Sequence, residues 1–108
     1  MKPKVITLCG STRFKEAINY WNARLTMENN IVISMGVFGH TDMPEHDWTT
    51  GGNNDKVMLD ELHRRKIDLA DEIFVVNVGG YVGESTRGEI EYAVAHGKTV
   101  TYLEVPST

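Results

Sequence analysis

Ile73-Phe74-Val75-Val76-Asn77-Val78 is the most apolar run in the chain, and Gly79 and Gly80 follow it directly. A short run of β-branched and apolar residues without polar alternation belongs to a strand covered on both faces, as in a parallel sheet. Working outward, Val5-Ile6-Thr7-Leu8-Cys9 is a second such run and ends in Gly10. Ile31 to Ser34, extending toward Phe38, and Thr99 to Val105 make two more. The segments between them have helical spacing. Phe14 to Met27 brings Phe14, Ile18, Trp21 and Leu25 to one face. Lys56 to Ala70 repeats at Met58 or Leu59, Leu62, Lys66 or Ile67, and Ala70, and Glu89 to His96 makes a third helix. Residues 39–54 show no period and read as a long loop, and Gly79 to Gly88 as a glycine-rich turn. The order β-α-β-α-β-α-β predicts an α/β fold: a doubly wound, four-stranded parallel sheet in the order 2-1-3-4, with right-handed crossovers. In such sheets small molecules bind at the carboxyl ends of the strands, where the strand order switches. The switch falls between the first and third strands, so the loops at Gly10 to Arg13 and Gly79 to Gly88 become the candidate site.

The whole chain is 108 residues with 41% hydrophobic and 24% charged residues, which suits one folded domain spanning 1–108. Eleven Lys and Arg against fifteen Asp and Glu leave a net charge of −4, which supplies no field for a nucleic acid polymer or an anionic membrane. Any anion site must therefore be local. The single cysteine, Cys9, excludes an internal disulfide framework and a zinc site built on cysteines, and fits a reducing compartment. No apolar run approaches the length of a membrane span, and the first residues lack the apolar core of a signal peptide, so a cytoplasmic protein is expected.

Cys9-Gly10-Ser11-Thr12-Arg13 joins the first strand to the first helix. Glycine permits close backbone approach, the hydroxyls of Ser11 and Thr12 can donate, and a new helix presents free N–H groups to an anion. Arg13 adds a planar fork suited to phosphate or carboxylate. The same residues also make an ordinary N-cap with a solvated arginine. In Gly79-Gly80-Tyr81-Val82-Gly83-Glu84-Ser85-Thr86-Arg87-Gly88-Glu89, the glycines Gly80 and Gly83 and the hydroxyls of Ser85 and Thr86 are candidate binding groups. Glu89 is expected in the first turn of the third helix, ionised by the helix dipole and able to attack a sugar carbon. Thr86 to Glu89 equally matches a capping box. His63, three residues after Asp60, can protonate a leaving base near neutral pH, or lie on a solvated basic face beside Arg64, Arg65 and Lys66. His40, Asp42, Glu45, His46 and Asp47 lack trusted metal-ligand spacing, and a lid carrying Trp48 for stacking is the preferred reading there. Asp71 lies at the sheet edge opposite the site and reads as structural.

Leu8-Cys9-Gly10-Ser11-Thr12-Arg13, then Ala70-Asp71-Glu72-Ile73-Phe74-Val75-Val76, then Gly83-Glu84-Ser85-Thr86-Arg87-Gly88-Glu89-Ile90-Glu91-Tyr92-Ala93 form a combined pattern in order. It resembles the nucleoside 2-deoxyribosyltransferase superfamily, especially its small 2′-deoxynucleoside 5′-monophosphate N-hydrolase branch, over about 100 residues. The resemblance implies a flavodoxin/Rossmann-like three-layer fold, cleavage or transfer at an N-glycosidic bond, and oligomers whose sites borrow a neighbour's residues. It implies Glu89 as nucleophile and Gly10, Ser11 and Arg13 as the turn that holds a 5′-phosphate. The family's second carboxylate, eight residues before Asp71, is His63 here, so the acid role falls to His63 or Asp60. The glycine loop also resembles the G-G-x-G-T-x-x-E motif of cytokinin-activating phosphoribohydrolases, with extra residues between the glycine pair and Thr86. The expected function is a nucleotide or nucleoside N-glycosidase or deoxyribosyltransferase acting through a retained glycosyl-enzyme, with no metal or redox cofactor. The alternative is a nucleotide-binding module without turnover. A four-stranded sheet leaves little wall around its cleft, so a homo-oligomer, first of all a dimer, is expected.

Overall fold

Val5–Cys9 forms β1, Ile31–Ile33 β2, Glu72–Val75 β3 and Thr99–Tyr102 β4, all parallel, in the order β2-β1-β3-β4. Helices α1 (Lys15–Met27), α2 (Gly52–Asp68) and α3 (Glu84–Ala95) cover the two faces. The computed structural model describes residues 2–48 and 52–106. The α/β class and the strand order are those expected from the apolar runs.

Strand alternation divides the core into two layers. Ile6 and Leu8 of β1, with Phe74 and Val76, pack against Phe14, Ile18, Trp21 and Leu25, the face read from the spacing of α1. Cys9, Ile73 and Val75 face the other way, onto Ile67 of α2 and Ala93 and Ile90 of α3. The buried Thr7 hydroxyl donates to the Lys66 carbonyl at 2.8 Å, tying β1 to α2.

Element boundaries depart from the sequence pattern in informative ways. The buried run continues through Val76 and Asn77, but the β3 ladder stops at Val75. The Asn77 side chain then takes over, donating to the Glu104 carbonyl at 2.8 Å and accepting from the Glu104 N–H at 2.9 Å. β2 and β4 are shorter than their apolar runs. Helix α2 starts at Gly52, inside the expected loop, and its inner stripe is Leu59, His63 and Ile67. Of the alternatives Met58 and Leu59, Leu59 is the inward one and Met58 is exposed, while Leu62, expected inside, is exposed. Helix α3 begins five residues before the expected Glu89 and has Gly83 as N-cap, with no side-chain capping bond. Thr86 is therefore a buried residue inside the helix, and the Thr86–Glu89 capping box does not form.

Gly10 ends β1 with φ 156°, and a Cβ there would stand 2.9 Å from the Val76 carbonyl oxygen. Gly79 and Gly80 turn the chain out of β3 at φ 68° and 81°. At the opposite end of the sheet, the Val5 N–H donates to the Asp71 carboxylate and the Asp71 N–H to the Val5 carbonyl, both at 2.8 Å. Asp71 is structural, as its position suggested. At that same end the Tyr92 hydroxyl donates to Asp68 at 2.6 Å and accepts from Arg65 at 3.0 Å, fastening α3 to α2. Among the described residues, no helix is long and apolar enough to cross a membrane.

Candidate functional site

A cavity of about 510 Å³ opens at the carboxyl ends of β1 and β3, where the strand order switches. Its walls come from the β1–α1 turn, the segment after β2, Trp48, the inner face of α2 and the first turns of α3. The parallel βαβ arrangement sends every helix away from this end, so helix beginnings surround the opening.

His63 and Glu89 line the cavity, and the fully buried Cys9 meets them just behind that lining. Cys9 is the last residue of β1, on the face that receives α2 and α3. His63 lies on the inner stripe of α2, and its Nε2 is 3.3 Å from Cys9 Sγ. Glu89 Oε1 is 3.7 Å from the same nitrogen. That oxygen is fully buried and has no hydrogen-bond partner among the described residues. Three polar groups from distant parts of the chain are thus gathered in a poorly solvated place.

Burial sets their protonation. Loss of water raises the Glu89 carboxyl to about 7; Asp60 adds to the rise, while the Cys9 thiol, Lys56 and Arg64 oppose it. This overturns the expectation of a carboxylate kept ionised by the first helical turn. Glu89 is the sixth residue of α3, and desolvation outweighs the dipole. Burial, helped by Lys66, holds His63 down at about 4 against the pull of Asp60. His63 is therefore neutral at pH 7, and it is neither the solvated basic residue nor the ready proton donor of the sequence reading. Burial, with Glu89 beside it, keeps the Cys9 thiol protonated.

The other expected residues divide. Gly10, Ser11, Thr12, Asp60, Gly83, Ser85 and Thr86 line the cavity. Ser11 caps the short 3₁₀ turn Thr12–Phe14 by accepting from the Arg13 N–H at 3.3 Å. Arg13 itself is not part of the lining. Its guanidinium lies over the ring of Tyr81, 4.2 Å from the centroid, and it is Tyr81 that faces the cavity. Gly80 is also outside the lining, buried in its turn. Asp60 accepts from Lys56 at 2.7 Å.

Trp48 forms part of the wall, with its indole N–H donating to the Met43 carbonyl at 3.0 Å. The His46 ring meets it edge-on, and His46 pairs with Asp55 of α2 at 2.9 Å. Asp42 is engaged by Lys15 at 2.7 Å and by the Phe38 N–H, so Asp42 and His46 serve separate contacts. Sequence reasoning passed over Cys9, Lys56 and Lys66 as site residues. Strand alternation held the signal for Cys9, since it shares the inward parity of Thr7 and borders the switch-point loop.

No protein-family model matches the chain, and no curated protein matches it.

Proposed function

We propose that this cavity cleaves or transfers the N-glycosidic bond of a nucleotide or (deoxy)nucleoside, through a glycosyl ester on Glu89. The observation that carries the reading is the Glu89 carboxyl itself, at the floor of a switch-point cavity with one buried oxygen unclaimed by the protein. A carboxyl bonded for structural ends has its lone pairs occupied; this one has a lone pair to offer.

In this reading the ionised fraction of Glu89 attacks the anomeric carbon as the C–N bond breaks and its electron pair leaves with the base nitrogen. Water, or a second base, then opens the ester, and two displacements retain configuration. With His63 neutral at pH 7, Asp60 and its partner Lys56 are better candidates to assist the departing base. Ser11, Thr12 and the backbone at Gly10 orient the sugar or its 5′-phosphate, with Lys66 as nearby positive charge and Trp48 as a surface for the base. The residue motifs around Gly10 and Glu89 support the same reading through their family resemblance. Incubation with a panel of nucleosides and 5′-monophosphates, followed by chromatography, should yield free base and the sugar or sugar phosphate. If no base appears from any member while Glu89→Ala binds the same nucleotides as tightly as wild type, the proposal is wrong.

A second reading, a nucleotide-binding module without turnover, draws on His63, which stands where the family pattern has an aspartate. Stabilisation by intact nucleotides with no product over hours is the result that selects it.

We further propose that the chain works as a homodimer. The outer face of α2 exposes Val57 (70%), Met58 (48%) and Leu62 (48%), with Leu69 (70%) just past its end, apolar surface suited to a second copy. Size-exclusion chromatography with light scattering should give twice the 12.1 kDa chain mass. A monomer with full base-releasing activity contradicts the dimer.

A further inference from the structure

The floor of the cavity has a property that the glycosidase reading does not use. Cys9 Sγ, His63 Nε2 and a Glu89 carboxylate oxygen all lie within 4.8 Å of one another, the two measured edges being 3.3 and 3.7 Å. A tetrahedral zinc ion, with bonds of about 2.3 Å to sulfur and about 2.0–2.1 Å to nitrogen and oxygen, places neighbouring donors about 3.3–3.6 Å apart. Two of the three edges are thus already close to those of one tetrahedral face, and the third lies within 4.8 Å. Their chemistry agrees: a thiolate and an imidazole disfavour magnesium and calcium, whereas sulfur, nitrogen and one carboxylate oxygen suit zinc. Each donor also comes from a different element, the end of β1, the middle of α2 and the second turn of α3. The fold, not the flexing of one loop, therefore sets the spacing. Without a cation the cluster is poorly satisfied, with Glu89 Oε1 buried and unpartnered.

We propose that Cys9, His63 and Glu89 bind a borderline-soft divalent cation, Zn²⁺ foremost, with its fourth coordination position open to the cavity. Binding releases the Cys9 thiol proton, and any proton on Glu89, to solvent, while His63 contributes its Nε2 lone pair. Three protein ligands with one open position characterise a zinc ion that can take water or a substrate atom. One consequence rests on the N-glycosidase reading: zinc ties up the Glu89 lone pair, so base release is inhibited. The site itself does not depend on that reading.

Cobalt is the probe, because Co²⁺ replaces Zn²⁺ and reports its ligands by colour. Full-length protein stripped with EDTA and titrated with Co²⁺ should bind one ion per chain, with visible bands of tetrahedral intensity and a near-ultraviolet thiolate charge-transfer band. Zn²⁺ should displace it. Cys9→Ser should lose the charge-transfer band, and Cys9→Ser and Glu89→Gln should each weaken binding by roughly tenfold or more. His96→Ala, a histidine stacked on Tyr92 away from the cavity, should leave the titration unchanged. Melting curves without metal establish that each variant is folded; if Cys9→Ser is not, Cys9→Ala takes its place. No stoichiometric binding by millimolar Co²⁺ or Zn²⁺, or binding indifferent to both Cys9 and Glu89 substitutions, overturns the proposal. A positive cobalt spectrum from a protein that releases no base with or without zinc keeps the metal site and removes the glycosidase.

Discussion

Glu89→Gln is expected to abolish base release, by roughly a thousandfold or more, and at pH 8 to make the metal-free protein more stable by about 2 kcal/mol. The first effect is the loss of the attacking carboxylate; the second comes from its burial. Burial raises the Glu89 carboxyl from 4.5 to about 7, so the folded state resists the ionisation that the unfolded chain undergoes freely. Below pH 4.5 both states hold the proton and Glu89 costs nothing. As the pH rises from 4.5 through 7 the unfolded state loses its proton first, and stability falls by roughly 3 kcal/mol before levelling off. The glutamine amide removes this penalty but must itself be accommodated, hence the smaller net gain. His63 acts with the opposite sign. Its folded value of about 4 lies below 6.5, so its contribution is whole above pH 6.5 and fades as the pH falls toward 4. Wild type should therefore be most stable between about pH 5 and 6 as far as these two groups decide. Glu89→Gln should instead rise from pH 4 to 6.5 and then hold level. Urea denaturation from pH 4 to 9 in EDTA measures both curves. A variant less stable than wild type at pH 8 would mark Glu89 as a structural acceptor, and retained base release would remove it as nucleophile. With Glu89 intact, activity should climb between pH 6 and 8 as the attacking form accumulates.

Gly10→Ala is the second large effect, a loss of about 3 kcal/mol or more. A Cβ at this position meets the Val76 carbonyl oxygen at 2.9 Å, a backbone atom with no rotamer to escape into. The carbonyl belongs to the chain leaving β3, and the Val76 N–H donates to the Cys9 carbonyl at 2.8 Å, so relief means parting β1 from β3 at the switch point. The φ of 156° adds strain for any residue with a side chain. Equilibrium denaturation of the variant gives the number, and a loss below 1 kcal/mol would show that the two strands part easily there. Gly79→Ala is the natural comparison: its φ is also positive, but open space surrounds its Cβ position, so only the backbone term applies.

Much of the fold was legible because it is written in local periodicity. The Val5–Cys9 run is a buried strand, the Ile73–Val78 run is one as far as Val75, and the Phe14, Ile18, Trp21, Leu25 spacing named the true inner face of α1. The site was half legible. Switch-point logic located the Gly10 turn and Glu89, but two errors followed from treating apolar and polar as synonyms of inside and outside. Leu62 looked like the inward residue of α2 and His63 the outward one; the structure has them reversed, because a histidine beside Cys9 and Glu89 is what the sheet end receives. Glu89 looked like a first-turn residue because glycines and hydroxyls signal turns. Here Glu84 to Gly88 are helical, Gly88 included, in a helix that packs on α2, β3 and β4, a tertiary setting that overrides local propensity. Protonation was the least legible property. It depends on water excluded by residues far apart in the chain.

The bonds among Tyr92, Asp68 and Arg65 gain significance from their position. They join α2 and α3 at the ends remote from the cavity, while the beginnings of the same helices stand on either side of its mouth. The pair resembles tweezers soldered at the heel. Residues at the tips can change in size and so reset the gap between the jaws, while the joint that maintains their alignment is untouched. In a chain this small, the shape of the cavity mouth is thereby separable from the joint that maintains the architecture.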